Sequence, residues 1–170
     1  MMTTNVFQRV LATFLIVAAI FLSNGVAQAD PYEDIQKYTA QIAQNPNDAE
    51  AYNNLGEAYL KLKEYKKAIP YFNKAIELNS KYFEAYNNLG AAYNPLGKYE
   101  LAISNYNKTI SINPKFAEAY YNLGKAYFYK LKYNQAIKEF NKSISINSKY
   151  LDAYYYRGKS YSELDIEGKK

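Results

Sequence analysis

The sequence predicts an all-α fold, a solenoid of stacked helix hairpins, and three observations predict it. The block AEAYNNLGEAY at residues 49–59 returns as FEAYNNLGAAY at 83–93 and as AEAYYNLGKAY at 117–127. A worn copy, LDAYYYRGKSY, stands at 151–161, and Tyr52, Tyr86, Tyr120 and Tyr154 recur at one constant step. A fixed period of this size, about 34 residues, marks a stacked repeat. Within each block the non-polar positions follow helical spacing, as in Tyr52, Leu55, Gly56 and Tyr59. Between blocks a second helical pattern follows, as in Tyr65, Ala68, Phe72, Ala75 and Ile76.

The elements follow in chain order. Residues 30–47 carry Ile35, Tyr38 and Ile42 at helical spacing and end in Asn45-Pro46, the pattern of a second helix whose first helix is missing. Copy one covers 49–82, with a break near Lys63-Glu64 and a close at Asn79-Ser80, where asparagine suits the left-handed conformation of a helix end. Copy two covers 83–116: Tyr86, Leu89, Gly90 and Tyr93, then Tyr99, Ala102, Tyr106 and Thr109, closing at Asn113-Pro114. Copy three covers 117–150: Tyr120, Leu123, Gly124 and Tyr127, then Tyr133, Ala136, Phe140 and Ser143, closing at Asn147-Ser148. Residues 151–164 form a first helix with no second, and 165–170 a short tail. In that last helix Arg157 takes the leucine slot, and Tyr154 and Tyr161 are expected to cover copy three. The expectation is about seven helices and no β-structure.

Glycine and proline carry specific expectations. Gly56, Gly90 and Gly124 lack a Cβ, so the helices of each hairpin can approach closely opposite Ala68, Ala102 and Ala136. Pro70 sits early enough in its helix to bend rather than break it. Pro95 is expected to end the first helix of copy two early, with Gly97 opening the turn.

Residues 1–29 read as a secretory signal. Arg9 and the free amino group precede an apolar run at 10–22, then Ser23-Asn24-Gly25 and the small-residue site Ala27-Gln28-Ala29. Thirteen helical residues span only about 20 Å, against a hydrocarbon core of about 30 Å. Cleavage after Ala29 would start the mature chain at Asp30 in a periplasmic or equivalent lumenal space, and the alternative is a retained membrane anchor. No cysteine follows the apolar run, so a lipoprotein signal is excluded.

Composition removes most chemistry. There is no cysteine and no histidine, which excludes disulfides, thiolate metal sites and the commonest general base. No nucleophile–base pair, phosphate loop or metal cluster is visible, so no enzyme and no cofactor are expected. The net charge of +5 is spread as lysines alternating with acids, the pattern of a solvated surface rather than a nucleic-acid interface.

The repeat resembles the tetratricopeptide repeat: aromatic, Leu-Gly, tyrosine, alanine, an aromatic, a small residue and often proline within one such period. The resemblance covers roughly residues 31–164, with tyrosine in place of the family's usual opening tryptophan and serine in place of proline at Ser80 and Ser148. It implies a right-handed superhelix whose first helices line a concave groove that holds a peptide or partner protein. On that reading Asn54, Asn88, Asn122 and, in the cap, Tyr156 form one groove column, whose amides could pair with a peptide backbone. Three hydrogen bonds of about 0.5–1.5 kcal/mol each do not offset an association cost of about 4–15 kcal/mol, so anchors are needed. Tyr121, Phe128 and Tyr155 occupy groove slots in the C-terminal half, beside Tyr156, Lys125 and Lys159, which suggests an acidic, apolar peptide there. A second column, Glu50, Glu84, Glu118 and Asp152, suits the positive ends of the first helices. The lysine and asparagine clamp by which some family members grip a C-terminal carboxylate does not fit. Asn53, Glu57, Glu118 and Asn122 stand in four of its slots, and only Asn88 matches. The implied function is a non-enzymatic adaptor for a protein or peptide partner, with self-association left open. The alternative is a membrane-anchored assembly factor.

Overall fold

The computed structural model describes residues 30–168. The signal expected at residues 1–29 lies outside the described residues. Eight α-helices follow in order: α1 (Pro31–Gln44), α2 (Ala49–Lys61), α3 (Tyr65–Leu78), α4 (Phe83–Tyr93), α5 (Tyr99–Ile112), α6 (Ala117–Tyr129), α7 (Tyr133–Ile146) and α8 (Leu151–Gly168). That is one more than the seven or so expected, and α8 runs past Leu164 into the stretch read as a tail. Each helix packs on its chain neighbours, so α2–α3, α4–α5 and α6–α7 are hairpins in one continuous stack, while successive first helices touch only lightly. This is the all-α solenoid of the sequence reading.

The turn between the two helices of a hairpin has one geometry in all three copies. Lys63, Gly97 and Leu131 stand one repeat step apart, and each has a positive φ, of 59°, 70° and 59°. The amide after each reaches back to the first helix, from Glu64 to Tyr59, Lys98 to Tyr93 and Lys132 to Tyr127. This is the helix-ending turn that favours glycine, and only copy two supplies one. There α4 stops at Tyr93 and Pro95 sits in a 3₁₀ turn before Gly97, as expected. Pro70 lies inside an unbroken α3.

The second helices end differently from expectation. Asn45, Asn79, Asn113 and Asn147 are not left-handed, since their φ values lie between −129° and −140°. Their side-chain oxygens accept from the backbone amides of Asn47, Lys81, Lys115 and Lys149, at 3.1–3.2 Å. The asparagine serves an Asx turn into the next repeat.

The core is a row of rings resting on glycines. A Cβ at Gly56 would lie 2.5 Å from the ring of Phe72, one at Gly90 2.6 Å from Tyr106, and one at Gly124 2.6 Å from Phe140. The close approach is thus made to the aromatic one turn beyond the expected alanines. Each ring also faces the following repeat: Ala68 and Phe72 pack with Leu89 and Ala92, and Ala102 and Tyr106 with Leu123 and Ala126. At the end of the stack Ala153, Tyr156 and Leu164 of α8 close over Tyr121, Phe128 and Phe140. Tyr154 and Tyr161 do not cover copy three, being 40% and 54% exposed. In the full repeats these slots meet the repeat's own second helix: Lys142 lies over Tyr120, and Tyr59 stacks on Tyr71. Among the described residues α8 has no such mate.

A left-handed residue other than glycine costs about 1–2 kcal/mol, and glycine's own entropic penalty returns part of that. Leu131 is exposed, so its side chain contributes little burial. Leu131→Gly is therefore expected to raise the unfolding free energy by about 0.5–1 kcal/mol, measured by urea denaturation followed by circular dichroism.

Candidate functional site

The first helices α2, α4, α6 and α8 stand in register and are joined along a seam that pairs each helix with the next. In the N-terminal part the seam is polar. Asn88 donates from Nδ2 to Asn53 Oδ1 at 3.0 Å and to Glu57 Oε1 at 2.7 Å, and Asn53 donates to the same Glu57 oxygen at 2.8 Å. One repeat on, Asn122 donates to Asn87 Oδ1 at 3.2 Å, while Asn87 donates to Glu118 Oε1 at 3.0 Å. Asn53 and Asn87 are buried, so these bonds satisfy amides that water does not reach.

The seam changes the reading of the asparagine column. Asn88 has its amide engaged twice within the protein, and Asn122 directs its amide to Asn87 and, at 3.5 Å, to Glu118. These side chains bind the repeats to one another rather than standing free as a donor ladder. Asn54 lies at the start of the column, where Asn53 reaches its oxygen at 3.5 Å. Glu118 is likewise more than a helix-end charge, because it accepts across the seam. Glu57 and Glu118 would also repel the carboxylate that the rejected clamp requires.

One step further the seam turns aromatic. The pair equivalent to Asn53–Asn88 and Asn87–Asn122 is Tyr121–Tyr156, whose rings meet edge to face at 6.0 Å. Tyr156 also contacts the rings of Phe128 at 5.8 Å, Phe140 at 6.0 Å and Tyr155 at 5.4 Å. This corrects the anchor assignment: Tyr121 and Phe128 are each only 8% exposed and belong to the core. Tyr156 closes over them because it fills a slot that holds asparagine in the earlier copies. Tyr155 remains open at 64% exposed.

Two lysines lie on this aromatic floor. Lys125 Nζ is 5.2 Å from the Tyr121 ring centre and 5.4 Å from that of Tyr156, and Lys159 Nζ is 5.3 Å from Phe128. Such cation–π contacts hold an ammonium group in place while leaving it hydrated on its outer side. Among the described residues neither lysine is in an ion pair. Beside Lys125 opens a cleft of about 290 Å³ lined by Asn94, Pro95, Tyr99, Lys125 and Tyr129. Asn94 Oδ1 is buried there without a hydrogen-bond partner. Tyr99 and Tyr129 stack at 6.2 Å, and Tyr129 shares a hydroxyl contact of 3.4 Å with Tyr156. From sequence Tyr99 stands only in the helical pattern of copy two, and none of Asn94, Tyr99 and Tyr129 is assigned to the site. The usable signal was that Asn94 holds the same slot as Phe128, where a short polar side chain leaves a gap.

Models of the repeat cover the middle of the chain. Those described as tetratricopeptide repeat match residues 49–82, 117–150 and 71–104, and one described as TPR repeat matches 93–130. The chain belongs to the tetratricopeptide-repeat family. It is similar to a MamA protein of known crystal structure at 29% identity, with a TM-score of 0.70 over 79% of this chain and 74% of that one. It is similar to YrrB, described as a tetratricopeptide-repeat protein with an unusual peptide-binding site, at 26% identity and a TM-score of 0.69 over 75% and 66% of the two chains. The fold also matches the first such domain of Spaghetti (RPAP3), bound to an HSP90 peptide, at 24% identity and a TM-score of 0.67 over 69% and 93%. No curated protein matches by sequence. The family is one of protein-interaction scaffolds rather than enzymes.

Three tyrosines of the aromatic end, Tyr121, Tyr150 and Tyr156, resist ionisation. The hydrogen bond with Tyr129, then burial, pushes Tyr156 up to about 12, and burial pushes Tyr150 up to about 12 as well. Burial also raises Tyr121. A raised folded-state value means full stability below the unfolded tyrosine value of about 10, lost as pH rises toward the folded values. Helical circular dichroism is expected to hold up to about pH 10 and then fall as phenolate absorbance rises. Ionisation of the full complement of tyrosines at about pH 10 with no loss of helix would show that these three hydroxyls are open to solvent.

Proposed function

We propose that this tetratricopeptide-repeat protein is an exported adaptor that holds an extended, acidic and apolar segment of a partner protein in the C-terminal half of its groove. The observation that carries this reading is the pair of lysines, Lys125 and Lys159, seated on the rings of Tyr121, Tyr156 and Phe128 with no ion-pair partner among the described residues. Acidic side chains of the peptide would meet these ammonium groups. An apolar side chain would lie against Tyr155 and Tyr129, and a backbone N–H would meet the orphaned Asn94 oxygen in the cleft. In the N-terminal half Glu57 joins the seam and disfavours acidic residues there, which sets a direction of preference along the groove. YrrB, with its peptide-binding site on a similar fold, supports peptide binding as a use of this scaffold. Export rests on residues 1–29 alone: a charged start, a short apolar run and an A-x-A site. No helix of the described residues is long and apolar enough to cross a membrane.

The test is selection of displayed peptides on the parent protein and on a Lys125→Glu/Lys159→Glu variant. The parent is expected to enrich sequences with acidic and aromatic or aliphatic residues. The variant is expected to bind those peptides at least about tenfold more weakly, about 1.4 kcal/mol, in fluorescence polarisation. Enrichment of basic peptides, or equal binding by the variant, would contradict the assignment.

A further inference from the structure

The two ends of the solenoid are complementary. The rings that rest on the glycines, Phe72, Tyr106 and Phe140, continue one repeat step back to Tyr38 on α1. The glycines that receive them, Gly56, Gly90 and Gly124, continue one repeat step forward to Gly158 on α8. Among the described residues Tyr38 is a ring with no glycine beneath it, and it is only partly buried where Phe72, Tyr106 and Phe140 are closed off. Gly158 is a glycine with no ring above it among the described residues, where a Cβ built there meets nothing within 4 Å. Around it Tyr154 and Tyr161 lie exposed because the second helix they would pack on is absent from the described residues.

We propose that α1 of a second copy docks on α8 as its missing second helix, so that copies stack head to tail. The three internal hairpins supply the template for this contact, and the residues fit it at further points. The slot in which Tyr71 stacks on Tyr59 places Lys37 of the second copy against Tyr161, a cation over a ring. The register of the seam places Asn54 of the second copy against the exposed Tyr155. The contact joins two different surfaces, so it does not close on itself and gives an open linear stack. One added helix face buries an area near the small end of specific interfaces, about 1,200 Å² in total, so association is expected in the micromolar range.

The decisive variant is Gly158→Ala. Within a single chain the added methyl meets only open space and removes a helix-interior glycine, so the fold is kept. In the stack it would strike Tyr38 as closely as a Cβ at Gly124 strikes Phe140. Sedimentation velocity of the full chain from low micromolar to near-millimolar concentration is expected to show concentration-dependent growth, and Gly158→Ala to weaken it at least tenfold with unchanged circular dichroism. A parent that stays monomeric, or equal growth in both proteins, would overturn the proposal. The chain has no cysteine, so single variants Lys37→Cys and Tyr161→Cys report on orientation. Disulfide dimers formed only when the two are mixed support head-to-tail stacking, and dimers of either variant alone overturn it.

Discussion

The contact on which this structure depends is an aromatic ring lying on a glycine backbone. Phe72, Tyr106 and Phe140 sit where a Cβ on the facing glycine would lie within 2.6 Å of a ring atom. The glycine brings the two helices of a hairpin together, and the ring, being broad, reaches through to the next repeat's leucine and alanine. One side chain therefore joins three helices. Because each repeat hands its ring to the following one, α1 and α8 each carry one half of the contact that is unmatched among the described residues. The stability of a repeat is then inseparable from that of its neighbours.

The groove is a consequence of what joins the first helices. Where the seam is made of asparagines and glutamates, it is polar, and its donors are engaged inside the protein. Where Tyr121 and Tyr156 replace the amides, the seam becomes a floor of rings, and the lysines above it are held by those rings rather than by acids. On the proposed reading the same positions serve packing and recognition together. A change that opens the aromatic seam would loosen the last repeat and alter the groove at once.

The constant repeat step made the hairpins, their order and the glycine column legible in the sequence, and the starts of helices α2 to α8 agree with it. Other features were hidden for physical reasons. Asparagine at a helix end suits both a left-handed residue and an Asx turn, and only the backbone tells which is present at Asn79, Asn113 and Asn147. Periodicity places Tyr121 and Phe128 on the groove side but cannot show that Tyr156, on the next first helix, shuts them in. The left-handed turns at Lys63 and Leu131 carry no glycine, although register with Gly97 points to them. The orphaned Asn94 oxygen depends on a gap left by its neighbours, which no single-residue pattern encodes.

The most direct measurement is a double-mutant cycle on one ring and its glycine, using Gly90→Ala, Tyr106→Leu and the pair, each followed by urea unfolding. If the ring on the glycine is the organising contact, Gly90→Ala destabilises the parent by about 1–3 kcal/mol, as overpacking does. The same change in the Tyr106→Leu background is then nearly neutral, a coupling of at least about 1 kcal/mol. An equal penalty in both backgrounds would mean that the glycine is needed for something other than the ring, and would contradict the account.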